Sequence, residues 1–175
     1  MFATQFSSSN VASSLMSRQK VKHQMSSAIG RSQSAKRSPV VVCNADGQKS
    51  RIGLCGLAVM GQNLALNVAE KGFPISVYNR SADKTDGCVN RAEKEGLSSK
   101  LRGYKDLKEF VESIEKPRHI IILVKAGAPV DATIEGLSQF LEPGDCIVDG
   151  GNEWYENTER RMKEVQEKGL LYLGM

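Results

Sequence analysis

The segment Arg51-Ile-Gly-Leu-Cys-Gly-Leu-Ala-Val-Met-Gly61 is the most informative part of this 175-residue chain for its fold class. An apolar run leads into a turn rich in small residues, and the turn leads into an amphipathic helix. We expect Gly56 to make the tight turn, Ala58 to keep the backbone low, and Gly61 to let the helix approach the strand. The free N–H groups at the helix start could then bind a pyrophosphate. Ordinary strand-to-helix turns also show the GxAxxG spacing, so its meaning depends on the residues after it.

A helix and a second strand come after the turn. The predicted helix ends at Lys71-Gly72, since a glycine after a basic last turn is typical of a helix end and Pro74 cannot continue it. The run Ile75–Tyr78 predicts a strand, which completes a right-handed βαβ unit with parallel strands. The apolar stripe of the helix is Met60, Leu64, Ala65, Val68 and Ala69.

The residues after the second strand discriminate between coenzymes. An acidic side chain here would accept hydrogen bonds from a ribose 2′-OH and select NAD. The chain has Asn79, Arg80 and Ser81 instead, with no carboxylate before Asp83. A guanidinium and a hydroxyl suit a 2′-phosphate, so the segment favours NADP. In the structural alternative, Ser81 only N-caps a helix over residues 82–95 and Arg80 is a solvated cation.

The remaining chain alternates in the same way and predicts an α/β fold, a doubly wound parallel sheet of the Rossmann-like kind. Helices are expected over residues 106–114, from Pro129 onward and over 155–168, and strands over 119–124, 146–149 and 170–173. The loops 56–61, 79–81, 124–127 and 149–152 follow strands, so they share the carboxyl edge where such sheets bind ligands.

Asn152 is the sharpest candidate among these loop residues. It follows Gly150-Gly151, and its amide could bind a nicotinamide carboxamide or a substrate hydroxyl. Alternatively it is an N-cap or turn residue, Lys125 a solvated side chain, and the glycines plain turns. Taken together, the four loops predict a dinucleotide site.

The first 45 residues differ in composition from the rest. They contain no Asp or Glu, six Lys and Arg, and many serines. This composition is typical of an organelle transit peptide, and we expect residues 1–45 to be disordered and to direct the chain to a chloroplast or other plastid. The alternatives are a basic tail that binds RNA or an anionic membrane, and a location in the cytosol or mitochondrion.

Charge and reactive side chains exclude several function classes. Beyond residue 45 the remaining 18 Lys and Arg face all 20 Asp and Glu, so this part carries a net charge of −2 and offers no nucleic-acid footprint. No apolar stretch is long enough to span a membrane. The four cysteines and two histidines have neither metal-site spacing nor a catalytic arrangement, so we expect no metal and no catalytic residue in this chain.

The strings GLAVMGQNLALNVAEKGF, YNRS, ILVKAGAPVD and DGGNEWYENTERR resemble the coenzyme domain of 6-phosphogluconate dehydrogenase, the decarboxylating enzyme of the oxidative pentose phosphate pathway. The resemblance covers residues 50–175 and implies an NADP-binding domain. It places the pyrophosphate at Gly56, Leu57, Ala58, Val59, Met60 and Gly61. It places the 2′-phosphate at Asn79, Arg80 and Ser81, where the family more often has threonine in place of Ser81. Val124, Lys125 and Ala126 would line the coenzyme, and Asn152 would touch both coenzyme and substrate.

The resemblance also implies what lies outside these motifs. Family members continue into a helical domain that supplies a lysine as general base and a glutamate as general acid, and they form homodimers. Those motifs are absent here, so we expect this chain by itself to show no turnover of 6-phosphogluconate to ribulose 5-phosphate. Two alternatives stay open: a free-standing, non-catalytic NADP-binding domain, and a related 3-hydroxyacid dehydrogenase. We also expect marginal stability, because an apolar strand lies at residues 170–173.

Overall fold

Strands and helices alternate without exception through residues 48–175, the part of the chain that the computed structural model describes. The transit segment predicted over residues 1–45 lies outside the described residues. The strands are β1 (Ile52–Cys55), β2 (Ile75–Tyr78), β3 (Leu101–Tyr104), β4 (His119–Ile122), β5 (Cys146–Asp149) and β6 (Leu171–Gly174). The helices are α1 (Val59–Glu70), α2 (Ala82–Lys94), α3 (Leu107–Glu112), α4 (Ala128–Ser138) and α5 (Tyr155–Gln166).

The strands form one parallel sheet in the order β3-β2-β1-β4-β5-β6. The chain winds outward from β1 in one direction, then crosses back and winds outward from β4 in the other. Cys55 is in register with Tyr78 and with Ile122, and Ile122 is in register with Asp149, so the four strands end at one level. The predicted doubly wound sheet is confirmed, and its switch point lies between β1 and β4.

Each face of the sheet has its own core. On one face Leu54, Ile75 and Val77 pack under α1 and α2. On the other, Ile120, Ile122 and Ile147 pack with α3, α4 and α5. Both Ile120 and Ile122 are fully buried. Since both faces are covered, β4 reads as an unbroken apolar run, as expected of a central parallel strand.

Strand β3 was not predicted from the sequence. Its residues Leu101-Arg-Gly-Tyr104 lack the β-branched run that marks the other strands. Gly103 pairs with Val77 on β2, and a Cβ at this position would lie 2.5 Å from Val89 Cγ2 and 2.7 Å from Thr85 Cγ2. Close packing of α2 on the sheet therefore explains why residue 103 is glycine, and this glycine is one reason why the strand could not be recognised in the sequence.

The predicted apolar stripe of α1 is partly wrong. The buried residues are Gly61, Ala65, Leu66 and Ala69, whereas Met60 is 61% exposed. The helix begins at Val59, so Met60 projects from its first turn into solvent and Leu66 packs on the sheet. Leu64 and Val68 lie at the margin of the core.

The last strand lies at an edge of the sheet. Leu171 and Leu173 of β6 are 59% and 53% exposed, and Leu170 before the strand is buried. Helix α3 begins one residue later than expected, because Asp106 is its N-cap and accepts a hydrogen bond from Glu109 N–H at 2.9 Å, and it ends at Glu112, two residues earlier than expected. Among residues 48–175 no helix has the length and apolar character needed to cross a bilayer.

Candidate functional site

The turn between β1 and α1 requires its two outer glycines. Gly56 has φ +105°, a conformation that L side chains rarely adopt, and a Cβ there would lie 2.7 Å from the carbonyl carbon of Leu123. A Cβ on Gly61 would collide with the carbonyl oxygen of Gly56. The turn therefore runs against β4, and the helix runs against the turn, for the steric reasons expected from the sequence.

Leu57 is the anchor of this turn. Its side chain is fully buried, its N–H donates to Asn79 Oδ1 at 3.0 Å, and its carbonyl accepts from Gln62 Nε2 at 3.1 Å. Gln62 is in turn held by Arg91 Nη1 at 3.3 Å. Both polar backbone groups of Leu57 are thus satisfied by side chains, which fixes the turn without a ligand.

The next N–H groups remain available. The first backbone bond of α1 runs from Gln62 N–H to the carbonyl of Ala58, and within residues 48–175 the N–H groups of Ala58, Val59 and Met60 have no acceptor. The first turn of α1 carries no acidic side chain. This helix start therefore presents unpaired donors and the positive end of the helix dipole.

A cleft of about 520 Å³ opens at the carboxyl edge of the sheet beside this turn. It brings together loops that are distant in sequence, and most of the predicted coenzyme residues line it. The predicted residues that line it are Gly56, Leu57, Ala58, Asn79, Arg80, Ser81, Val124 and Lys125.

Five predicted residues do not line the cleft. Val59 and Met60 are 78% and 61% exposed beside the helix start, and Gly61 is buried beneath it. Ala126 and Asn152 are exposed in the loops that follow β4 and β5. Asn152 has no hydrogen-bond partner among the described residues, and it is not an N-cap, since α5 has its N-cap at Trp154.

The cleft lining is cationic. Arg80, Lys84 and Lys125 contribute to it, and its lining contains no Asp or Glu. Among the residues that the structure describes, none of the three cations forms a salt bridge. The arrangement leaves several positive charges free for an anionic ligand.

Sequence reasoning missed Lys84. It lies in the first turn of α2, where a cation opposes the helix dipole, and that mismatch was the available signal. Ser81 occupies the N-cap position of α2, but its side chain makes no capping bond. The N-cap position expected in the structural alternative is confirmed, but it does not use the hydroxyl of Ser81, which lines the cleft.

One part of the cleft is apolar. Leu107 of α3, Leu123 after β4 and a stripe of small residues on α4 form it; the stripe consists of Pro129, Ala132 and Gly136. A Cβ on Gly136 would lie 3.2 Å from Leu107 Cδ2, so α3 and α4 approach closely here. Sequence reasoning missed this slot, because it forms only where two helices meet. Its apolar composition suits a planar aromatic ring.

Two titratable side chains at strand ends, Cys55 and Tyr78, line the cleft. Burial raises the pKa of the Cys55 thiol to about 12. Burial, with smaller effects from Cys55 and Asp106, also raises the pKa of Tyr78. Both groups therefore stay neutral near pH 7.

Comparison with known proteins agrees with this geometry. A family model described as the NAD binding domain of 6-phosphogluconate dehydrogenase matches residues 51–175. The chain is 71% identical over 126 residues to a spinach (Spinacia oleracea) protein named 6-phosphogluconate dehydrogenase, decarboxylating 1, covering 72% of this chain and 26% of the relative. It is 66% identical, with the same coverages, to an Arabidopsis thaliana protein whose name adds the word chloroplastic.

A solved structure shows the same fold. The 6-phosphogluconate dehydrogenase of Plasmodium falciparum, described in its apo form and in complex with its cofactor NADP+ and its substrate 6-phosphogluconate, aligns with a TM-score of 0.67 at 50% identity. The alignment covers 71% of this chain and 27% of that one. The chain spans about a quarter of the length of the curated relatives it matches.

Proposed function

Because the chain belongs to the 6-phosphogluconate dehydrogenase family, we propose that residues 50–175 bind NADP(H) in the cleft at the carboxyl edge of the sheet. The observation that carries this proposal is the cleft lining, where Arg80, Lys84 and Lys125 are unopposed by any lining carboxylate. The 2′-phosphate of NADP(H) adds negative charge that NAD(H) lacks, so NADP(H) matches this lining better.

The residues present fit the coenzyme part by part. The unpaired N–H groups of Ala58, Val59 and Met60 suit the pyrophosphate, since anions bind at helix starts. Arg80, Ser81 and Lys84 suit the 2′-phosphate. The slot beside Leu107 suits the adenine ring. NADP+, when bound, supplies the acceptor for a hydride.

Preference for NADP over NAD follows from charge at one position. NAD-binding sheets place a carboxylate after the second strand to receive the ribose 2′-OH. Here Arg80 lies after β2, and the nearest acidic residue in the sequence, Asp83, does not line the cleft. The guanidinium would bind the 2′-phosphate with charge-assisted hydrogen bonds and gain nothing comparable from a hydroxyl.

We infer further that the activity served by this site is the oxidative decarboxylation of 6-phosphogluconate to ribulose 5-phosphate with formation of NADPH. Family membership supports this inference, as does the Plasmodium relative, whose complex contains that substrate. Within the described residues the contribution is binding and orientation: Asn152 is free to contact coenzyme and substrate, and Val124, Lys125 and Ala126 belong to the loop after the neighbouring strand β4. The homodimer implied by the family resemblance stays a prediction.

A plastid location is also proposed for the protein. The acid-free, basic, serine-rich composition of residues 1–45 supports it. Some curated plant relatives are named chloroplastic, and the names of others lack this word. Residues 1–45 fused to a fluorescent protein should enter plastids of a leaf cell; diffuse cytosolic or mitochondrial fluorescence would contradict the proposal.

Calorimetric titration of the chain with NADPH and with NADH tests the coenzyme assignment. We expect NADPH to bind about a hundredfold more tightly, because one charge-assisted contact contributes about 1.5–3 kcal/mol. Equal affinities would remove the role assigned to Arg80. Failure of both to bind would overturn the proposed site.

A further inference from the structure

The guanidinium of Arg161 on α5 is buried among carboxylates. Its side chain is 1% exposed although the helix is polar. Nε and Nη2 donate to Asp131 at 2.7 and 3.2 Å, and Nη1 donates to Glu153 Oε2 at 2.6 Å. Asp149 Oδ2 lies 3.8 Å from Nη1. We call these four residues, Arg161, Asp131, Asp149 and Glu153, the Arg161 cluster.

The Arg161 cluster holds the loop that follows β4 through hydrogen bonds to Gly127. Glu153 Oε2 accepts from Gly127 N–H at 2.8 Å, and Arg161 Nη2 donates to the carbonyl of Gly127 at 3.1 Å. Gly127 is the N-cap of α4, and its φ of +89° lies in the region that favours glycine. Both polar backbone groups at the end of residues 124–127 are therefore held by one ion network.

The same cluster fixes the loop that follows β5. Asp149 Oδ1 accepts from Gly151 N–H at 3.0 Å, and Tyr172 OH donates to Asp149 Oδ2 at 2.7 Å. Glu153 Oε1 accepts from Trp154 N–H and from Asn157 Nδ2, each at 3.0 Å. Asn152 thus lies between two residues, Gly151 and Glu153, that the cluster holds in place.

These contacts involve only one half of the carboxyl edge of the sheet. The loops after β4 and β5 lie on the opposite side of the switch point from Arg80 on the β2 side. If the 2′-phosphate half of a dinucleotide lies at Arg80, the nicotinamide half extends toward residues 124–127 and 150–152. We infer that Arg161 is a positioning residue, which, through Gly127 and Glu153, sets these two loops for the nicotinamide half; the inference rests on the proposed function.

The geometry of Arg161 is specific to a guanidinium. Its planar fork reaches Asp131, Glu153 and the Gly127 carbonyl at once, which a single ammonium group cannot do. Arg160 offers a matched control on the same helix. Its Nη2 donates to Asp131 Oδ1 at 2.9 Å and its Nη1 to Glu164, but it contacts neither Gly127 nor Glu153.

The test compares two ligands on the whole 175-residue chain and its variants Arg161→Lys and Arg160→Lys. Calorimetry measures binding of NADPH and of adenosine 2′,5′-bisphosphate, which lacks the nicotinamide half. We expect Arg161→Lys to weaken NADPH binding about tenfold while the bisphosphate changes less than about twofold, and Arg160→Lys to change neither. A merely structural role would not produce this split, since a loosened fold weakens both ligands.

The outcomes separate the two proposals. If the unmodified chain binds both ligands and Arg161→Lys weakens them equally or not at all, the positioning role is wrong and the coenzyme site stands. If the unmodified chain binds neither ligand, the proposed function falls, and this inference with it. If circular dichroism shows that Arg161→Lys does not fold, Glu153→Gln replaces it and the same two ligands are compared. This variant removes the negative charge of the side chain that accepts the hydrogen bond from Gly127 N–H.

Discussion

Asn79 Oδ1 accepts a hydrogen bond from the N–H of Leu57 at 3.0 Å, across 22 residues of sequence. The bond joins the loop after β2 to the turn after β1, the two segments that a dinucleotide must contact together. Asn79 Nδ2 also donates to the carbonyl of Ser81 at 3.2 Å. Asn79 therefore shapes the site through these two bonds, in addition to the direct phosphate contact that the family resemblance implies for it.

Replacing Asn79 tests this shaping role. Asn79→Ala leaves the Leu57 N–H without its acceptor, so we expect NADPH and adenosine 2′,5′-bisphosphate to lose about tenfold in affinity alike. Asn79→Asp keeps the acceptor and adds a negative charge, so it should spare NADH binding and weaken NADPH binding. Calorimetric titration of both variants measures these differences; an Asn79→Ala variant with unchanged affinities would contradict the prediction.

The unopposed cations at the cleft should determine coenzyme preference. Arg80→Ala is expected to reduce NADPH affinity by about ten- to a hundredfold and to leave NADH affinity unchanged, because only NADPH has the 2′-phosphate. Lys84→Ala should act in the same direction with a smaller effect. Lys71→Ala, at the other end of α1, is the matched control and should bind like the unmodified chain. A loss shared by NADH would argue against the assignment.

Two glycines in helices should respond oppositely to alanine. Gly61→Ala places a Cβ against the carbonyl oxygen of Gly56, so we expect the free energy of unfolding to fall by about 1–3 kcal/mol. Gly87 in α2 has no atom within 4 Å of a built Cβ. Gly87→Ala should therefore raise the free energy of unfolding by about 0.5–1 kcal/mol. Urea denaturation measures both, and similar effects for the two would show that Gly61 is not tightly packed.

Acid stability should depend on Glu153. Hydrogen bonds from Gly127 N–H first, then from Arg161, Asn157 and Trp154 N–H, lower the pKa of Glu153 to about 2 from its usual value of 4.5. Since the folded pKa is the lower one, ionised Glu153 stabilises the fold above pH 4.5, and this contribution is lost as the pH falls toward 2. The pKa of Asp131 is lowered by Arg161 in the same sense.

The melting temperature between about pH 5 and about pH 2.5 is the measurement for Glu153. Glu153→Gln should be less stable than the unmodified chain at the upper end of this range and should lose less on acidification. The other carboxyls with lowered pKa values, Asp131, Glu142 and Asp145, contribute to the remaining slope. Glu159→Gln, an exposed carboxylate on α5, is the control and should follow the unmodified chain. Parallel slopes for all three would exclude a special role for Glu153.

The edge strand β6 should govern self-association. Leu171 and Leu173 lie two residues apart on the strand, so their side chains point to the same face of the sheet. Both side chains are exposed. The double change Leu171→Thr and Leu173→Thr should reduce concentration-dependent light scattering while shifting the free energy of unfolding by no more than about 0.5 kcal/mol per site. Leu170→Thr at the buried neighbour should instead destabilise the fold. Scattering unchanged by the double variant would mean that another surface drives association.

Local sequence patterns were enough to predict the βαβ unit, the sheet class, the carboxyl edge and the charge at Arg80. Each of these features depends on residues that are close together in the sequence. They are the apolar strands, a turn that requires glycine at position 56, and a cation at the position where NAD sites have an acidic residue. Local backbone preference and the parallel topology leave few alternatives for such patterns. That is why eight of the predicted coenzyme residues came together at one cleft.

The side chains that support the site could not be predicted in this way, because they depend on long-range packing. The bond between Asn79 and Leu57 and the grip of Arg161 on Gly127 span 22 and 34 residues. In the sequence Arg161 belongs to a polar helix and reads as a solvated cation, yet packing of α5 beside β6 buries it among three carboxylates. Hydrogen-bond partners at that distance depend on how the helices lie on the sheet, and no local pattern of residues encodes that placement.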